Sequence, residues 1–333
     1  MIIEDISINI RNLIAYCQKP KNHNKLIKDC INNIKCEFLN YIFQDYLYDK
    51  YIDVDIKIHE IYSEFTNKMI PIKIKSSNVK YKKFKLIKSN YLCNVYEAVM
   101  NNKFEQNYVI IKCYFIDLPI EIEFNESKIL KLLNEKNLNI PKIYDNFTSI
   151  HFNCYPMEKL TTTLDMILKQ KLIDEKDEGL DIKDLYKLLY EIVKILYVLH
   201  NEYKYLYVDF STNNIGIKKD EFYMFDFGAV VKISNDSKAI TYTKRYCSIK
   251  SILNKTITIY DDFESISFLL LDAYYGYYKS PFPNKITIES KLNLLNEMKN
   301  GIHGDFFSRY IHIISKHDKP YEILYNFINL SYI

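Results

Sequence analysis

YLYVDFSTNNIGIKKDEFYMFDFG, residues 205–228, sets two carboxylates and an amide at fixed spacing inside an apolar, aromatic frame. Asp209 is followed five positions later by Asn214, and Asp226-Phe227-Gly228 begins seventeen positions after Asp209. Alone, Asp209 reads as a surface carboxylate ending an apolar strand. The spacing argues for more. One carboxylate can accept the proton of an attacking hydroxyl, while an amide oxygen and a second carboxylate hold cations that neutralise phosphates. Two charged residues upstream also stand out. Lys112 ends the apolar run YVIIK, where a lysine is otherwise a costly choice, and Glu126 lies fourteen residues on in FNESKILKLL. Without the downstream loops, Lys112 would read as a snorkelling strand-end lysine and Glu126 as a solvated helix face.

The pattern around these residues is strand-rich, then helix-rich. FKLI, NVYEAVM and NYVIIKCYF are β-like runs with polar turns between them, and EIEFNESKILKLLNE is helical. Two further β-like pieces fall near KIYDNFTSI and HFNCYPMEKL, and the rest is mainly helical. The strongest helix covers residues 181–200, where Asp181 can cap and Leu185, Leu188, Ile192, Leu196 and Leu199 form one face. This is an α+β, two-lobe arrangement and not a doubly wound sheet. Residues 1–75 read as a helical N-terminal extension, with Ile6, Ile10, Leu13, Ile14 and Cys17, then Ile27, Ile31, Ile34, Phe38 and Ile42, at helical spacing. A domain over 76–333 follows, its lobes at about 80–157 and 161–333.

Composition narrows the class. With 48% apolar residues the chain has enough material for a large core, and a net charge of +3 does not imply a nucleic-acid partner. Seven lysines and no acid lie between Lys73 and Lys88, which reads as a solvated linker and strand edge. Seven scattered cysteines without a CxxC read as reduced thiols, arguing against a disulfide framework or a zinc site. The start, MIIEDISINIRN, is not a secretory signal, and no run reaches membrane-span length. A soluble protein of the cytoplasm or nucleus is expected. The excess of Lys, Asn, Ile and Tyr resembles AT-rich coding bias, as in a large DNA virus or an intracellular parasite acting in a host cell.

The order of these motifs resembles the protein-kinase superfamily. NESKILKLL followed by NIPKIYDNF is similar to the αC helix and β4 region of the casein kinase 1 and vaccinia-related kinase group. TYTKRYCSIKSIL at 241–253 and DDFESISFLLL at 261–271 resemble that group's activation segment and its DDLESL helix. The similarity covers roughly 82–285. It implies ATP and Mg²⁺ as cofactors, a protein substrate or partner, and a kinase-like bilobal fold. Asp209 would be the catalytic base, and Asn214 and Asp226 the metal ligands. Lys112, held by Glu126, would meet the α- and β-phosphates. Met157 would be the gatekeeper, leading into a hinge from Glu158 to Leu160 whose backbone meets adenine, with Val95 and Ile110 also in the nucleotide site. Thr243 would position the substrate hydroxyl, and Asp262 would brace the catalytic loop from beneath.

Departures from the pattern keep other readings open. The three glycine positions of the phosphate-covering loop are Lys88, Asn90 and Cys93, so the backbone approaches phosphates less closely. Ile110 replaces a small alanine over adenine. Tyr207 and Val208 replace the histidine and arginine before the catalytic aspartate, which suggests no control by activation-loop phosphorylation. Ser211 occupies the position of a lysine that acts on the transferring phosphate, and its lack of charge would slow chemistry. An atypical serine/threonine kinase of low activity is the leading expectation. A pseudokinase scaffold and a small-molecule phosphotransferase are the alternatives.

Overall fold

The computed structural model describes residues 80–89, 93–101, 106–115, 120–148, 152–173, 179–316 and 320–329. The expected extension over 1–75 and Asn90 lie outside them. The described chain divides into two compact units. One takes residues up to Ile116 together with Asn146–Cys154, and the other takes Asp117–Asp145 and Tyr155 onward.

The first unit is built on an antiparallel sheet of β1 (Lys80–Ser89), β2 (Cys93–Asn101), β3 (Gln106–Phe115), β4 (Phe147–Thr148) and β5 (Phe152–Glu158), in the order β1-β2-β3-β5-β4, with β5 counted to the first unit as far as Cys154. Alternation along the strands sorts the side chains by face. Tyr96, Ala98, Val109, Ile111 and Cys113 are buried. The opposite face is fixed by register: Lys88 pairs with Val95, Val95 with Lys112, and Glu97 with Ile110. Directly paired residues point the same way, so Lys88, Val95, Ile110 and Lys112 share one sheet face. β1 is an edge strand, with register shifts between Lys82 and Lys85 and between Leu86 and Lys88, and Lys83 in the left-handed region at φ 54. Its exposed Lys82, Lys83, Lys85 and Lys88 keep another strand from pairing there. The piece read as a strand near KIYDNFTSI shrinks to Phe147–Thr148 and an isolated bridge from Ile143 to Met157. The polar Asp145 and Asn146, both exposed, separate the two pairings.

The second unit is mostly helical: α1 (Ile120–Asn134), α2 (Leu164–Ile173), α3 (Ile182–Asn201), α4 (Ile249–Ile252), α5 (Ile259–Lys279), α6 (Ile288–Lys299), α7 (Asp305–Lys316) and α8 (Pro320–Asn329). The Asp181 side chain caps α3 by accepting from the Asp184 N–H at 2.8 Å. Leu185, Leu188, Ile192, Leu196 and Leu199 are all buried, each contributing roughly 1.5–3 kcal/mol by leaving water. Tyr186 on the same helix meets Phe306 of α7 and Phe327 of α8 ring to edge, which ties three helices together. Before α3 the chain passes so close to α5 that a Cβ on Gly179 would lie 2.1 Å from the Tyr274 carbonyl oxygen.

Short strands set the loops that matter. β6 (Thr162–Thr163), β8 (Ile215–Lys218) and β9 (Glu221–Met224) form one small sheet, and β7 (Tyr205–Leu206) pairs with β10 (Val231–Lys232). β8 and β9 are joined by Lys219 and Asp220, both at positive φ, a two-residue turn whose twist matches that of the flanking strands. Their register, Ile215 opposite Met224, brings Asn214 and Phe225 to the same end of the hairpin. An α+β architecture thus results, an antiparallel sheet region followed by a mostly helical part. Among the described residues no helix is long and apolar enough to cross a membrane.

Candidate active site

Two loops of the second unit meet at the open end of the β8–β9 hairpin. The Phe225 N–H donates to the Asn214 carbonyl at 3.1 Å, so the twelve-residue spacing from Asn214 to Asp226 is the length of this hairpin. Tyr207 makes a second tie: its hydroxyl donates to the Phe225 carbonyl at 2.6 Å, and its ring stands edge-on to Phe227 and Phe210. Tyr207 therefore joins the two loops.

The backbone between β7 and Asp209 is strained. Val208 sits at φ 71, a conformation that a β-branched residue rarely adopts and that costs about 1–3 kcal/mol. Asp262 of α5 holds it there. Its two carboxylate oxygens accept from the Tyr207 N–H at 2.7 Å and the Val208 N–H at 2.9 Å, and Oδ2 also meets His200 Nε2 at 2.8 Å. A carboxylate can only accept, so Nε2 carries a proton, and Nδ1 on the far side of the ring meets the Tyr321 hydroxyl at 2.5 Å. Asp262 is not a helix cap: Thr258 and Asp261 form the capping box of α5. The Val208 side chain packs in an apolar cluster with Leu206 and Ile257, against which Val231, Ile233 and Tyr242 lie.

Asp209 emerges from this brace half-buried. Its Oδ1 accepts from both the N–H and the hydroxyl of Thr243, each at 2.7 Å. Burial pushes its carboxyl above the ordinary aspartate range. The Thr243 hydroxyl and N–H and the nearby Asn214 amide oppose this, while the charge of Asp226 adds to it. Asn214 donates from Nδ2 to the Asp209 carbonyl at 2.9 Å, and its Oδ1 takes no hydrogen bond from the described residues. Asp226 is itself in the left-handed region, at φ 63 and ψ 68. Asp209, Asn214 and Asp226 are thus brought together, and the set offers oxygen ligands of the kind Mg²⁺ takes, which include one or two carboxylates completed by phosphates and water. The described residues contain no cluster of three or more His, Cys, Asp or Glu side chains able to hold a metal unaided.

Ser211 has a local role. Its hydroxyl accepts from the Asn213 N–H at 3.2 Å, capping the 3₁₀ turn Thr212–Asn214, and the residue is buried. Glu126 on α1 is fully buried; it accepts from the Phe227 N–H at 3.1 Å and from the Tyr155 hydroxyl, which fixes the loop just past Asp226. Met157 is buried on β5. Glu158 pairs with Lys218 and accepts from the Lys142 N–H, so its carboxylate stabilises the chain and its backbone runs on to Leu160. The Leu160 side chain fills the space where a Cβ on Gly216 would stand, and its N–H has no acceptor among the described residues. Lys112, Lys88, Val95 and Ile110 belong to the first unit, on the sheet face given above. Lys112 is buried, and Lys88 is exposed.

Sequence spacing missed several supports. Thr212 meets the Tyr277 hydroxyl at 2.6 Å and the Tyr246 hydroxyl at 3.3 Å, and Tyr277 donates onward to Asp165 at 2.5 Å. The segment carrying Thr243 is held by Arg245, paired with Asp272, and by the buried Lys291, which donates to the Arg245 and Cys247 carbonyls at 2.8 and 2.7 Å. Burial pulls Lys291 down to about 8. Neither protein-family models nor curated protein sequences give a significant match to this chain.

Proposed function

We propose that the chain has a protein-kinase-like bilobal fold and is a serine/threonine protein kinase that transfers the γ-phosphate of ATP to protein hydroxyls, with low or atypical activity. The observation that carries the reading is the Asp209 carboxylate, fixed through one oxygen by Thr243, on a strained loop braced by Asp262 and beside Asn214 and Asp226. A carboxyl pushed upward by burial is the better proton acceptor for a substrate hydroxyl. Asp209 would take that proton while Thr243 keeps the group aimed. Asn214 and Asp226 would hold Mg²⁺, which when bound neutralises phosphate charge. Leu160 would offer its free N–H to the adenine edge, and Lys112 would contact the phosphates. Val208 stands where an arginine would read a phosphorylated segment, and its apolar cluster orders Val231–Tyr242 without a phosphate. The reading carries with it a protein substrate or partner and a cytoplasmic or nuclear setting.

One observation favours a pseudokinase scaffold as second reading: Ser211 caps a turn and supplies no positive charge where transfer would need it. Thermal unfolding with millimolar ATP and Mg²⁺ tests nucleotide binding. The melting temperature should rise, because a ligand of the folded state stabilises it by mass action, and Asp226→Asn should reduce the rise. No shift in the wild type would overturn the nucleotide reading.

A further inference from the structure

The second unit carries a groove remote in sequence from the loops described above, between the end of α6 and the faces of α7 and α8, with a volume of ≈ 580 Å³. That lies within the range of about 300–1,000 Å³ typical of ligand clefts. Its floor is apolar, from Ile313, Ile323 and Phe327, and its rim carries Lys299, Arg309 and His312. Among the described residues no aspartate or glutamate lines it. Acids do stand on the same elements, but elsewhere: Glu297 is engaged with His303 at 3.2 Å, and Asp305 and Glu322 do not line the groove. Lys299 and Arg309 are exposed, and neither meets a carboxylate among the described residues. The Arg309 guanidinium is laid over the Phe327 ring, 4.9 Å from its centroid, so its position is set before any ligand arrives.

We propose that this groove is a docking site for a short acidic segment of a partner protein, one carrying one or two bulky apolar residues among its carboxylates. The apolar floor takes the anchor residues, and the cationic rim selects the flanking charge. A preset guanidinium loses little freedom when it pairs with a carboxylate, and its fork suits that geometry. Complementary charge of this kind chiefly sets partner choice and encounter rate, and it weakens with salt. Docking here is independent of phosphoryl transfer, and the groove contains none of the residues assigned to the transfer site.

The test is fluorescence anisotropy on the full chain with a fluorescein-labelled twelve-residue peptide alternating glutamate and leucine. The same measurement uses the lysine–leucine counterpart, a twelve-nucleotide single-stranded RNA and phosphatidylserine vesicles. Saturable binding of the glutamate peptide is expected. Lys299→Glu with Arg309→Glu should weaken it on the order of tenfold or more, since two pairs are converted from attraction to repulsion. Ile323→Ser, an uncharged change at a half-buried floor position, should weaken it severalfold. Both variants should keep the wild-type helical circular dichroism and the wild-type response to ATP and Mg²⁺, which separates this result from the fate of the kinase reading. The proposal is overturned by absence of saturation, by equal binding of the lysine peptide, by indifference to the charge reversal, or by RNA or vesicles binding where the glutamate peptide does not.

Discussion

Removing the Asp262 carboxylate should destabilise the protein more than any other single truncation at the site. Asp262 is 2% exposed and accepts three hydrogen bonds, from the Tyr207 and Val208 N–H groups and from His200 Nε2. In Asp262→Ala two backbone donors and an imidazole N–H lose this acceptor in a setting that water enters poorly. Each buried donor left unsatisfied costs about 1–3 kcal/mol. The left-handed Val208 then lacks the contacts that hold its strain of about 1–3 kcal/mol, so the loop relaxes and part of the penalty is returned. The net loss should be about 3–5 kcal/mol, the size found when one member of a buried polar network is removed. At ~2–4 °C per kcal/mol for chains of this general size, the melting temperature should fall on the order of 10 °C. Asp262→Asn, which keeps one acceptor oxygen, should lose about 1–3 kcal/mol. Asp261→Ala, which removes the capping partner of Thr258 and a 3.5 Å pairing with Lys250, should lose about 1 kcal/mol. Urea unfolding followed by circular dichroism measures all three. An Asp262→Ala protein within about 1 kcal/mol of wild type would refute the argument that this carboxylate holds the loop.

Further outcomes follow from the same structure. Lys291 has a folded-state value of about 8 against an ordinary 10.5. Between those values the unfolded chain binds the extra proton, so the Lys291 contribution to stability rises with pH there. Wild type should therefore gain on Lys291→Met by up to about 3 kcal/mol from pH 8 to 10.5, as read from paired urea titrations; a constant difference would refute the assignment. Gly179→Ala should cost roughly 2–3 kcal/mol, because its Cβ would meet backbone carbonyl oxygens that cannot swing aside. Ser211→Lys should raise phosphoryl transfer about tenfold while losing about 1 kcal/mol of stability with the cap, so rate and melting temperature move in opposite directions.

The parts of the molecule legible in sequence are those with a local cause. The buried face of α3 follows from apolar residues at helical spacing after Asp181, and the alternation in β2 and β3 sorts Tyr96 and Ile111 from Val95 and Lys112. The interval from Asn214 to Asp226 was readable because it is one tight hairpin. What spacing does not carry is contact between distant segments. Nothing near Asp262 announces His200, sixty-two positions earlier, as its third partner. The chain from Thr212 through Tyr277 to Asp165 joins residues 65 and 112 positions apart. Ser211 reads in sequence only as a missing lysine. Its role as a cap depends on the backbone turning back at Asn213, which a linear pattern does not display.

The central claim is that Asp209 is the proton acceptor in phosphoryl transfer, and one experiment addresses it most directly. Radiolabel from γ-labelled ATP with Mg²⁺ is followed onto the protein itself and onto a generic acidic protein substrate, for wild type and Asp209→Asn, with the ATP-induced thermal shift measured in parallel. The amide can still accept both Thr243 hydrogen bonds, and the substitution removes a desolvated charge that Asp226 repels. Asp209→Asn should therefore lose transfer, keep the thermal shift, and melt no lower than wild type without ligand. Transfer by Asp209→Asn at the wild-type rate, or no transfer by a wild type that binds ATP, would contradict the account.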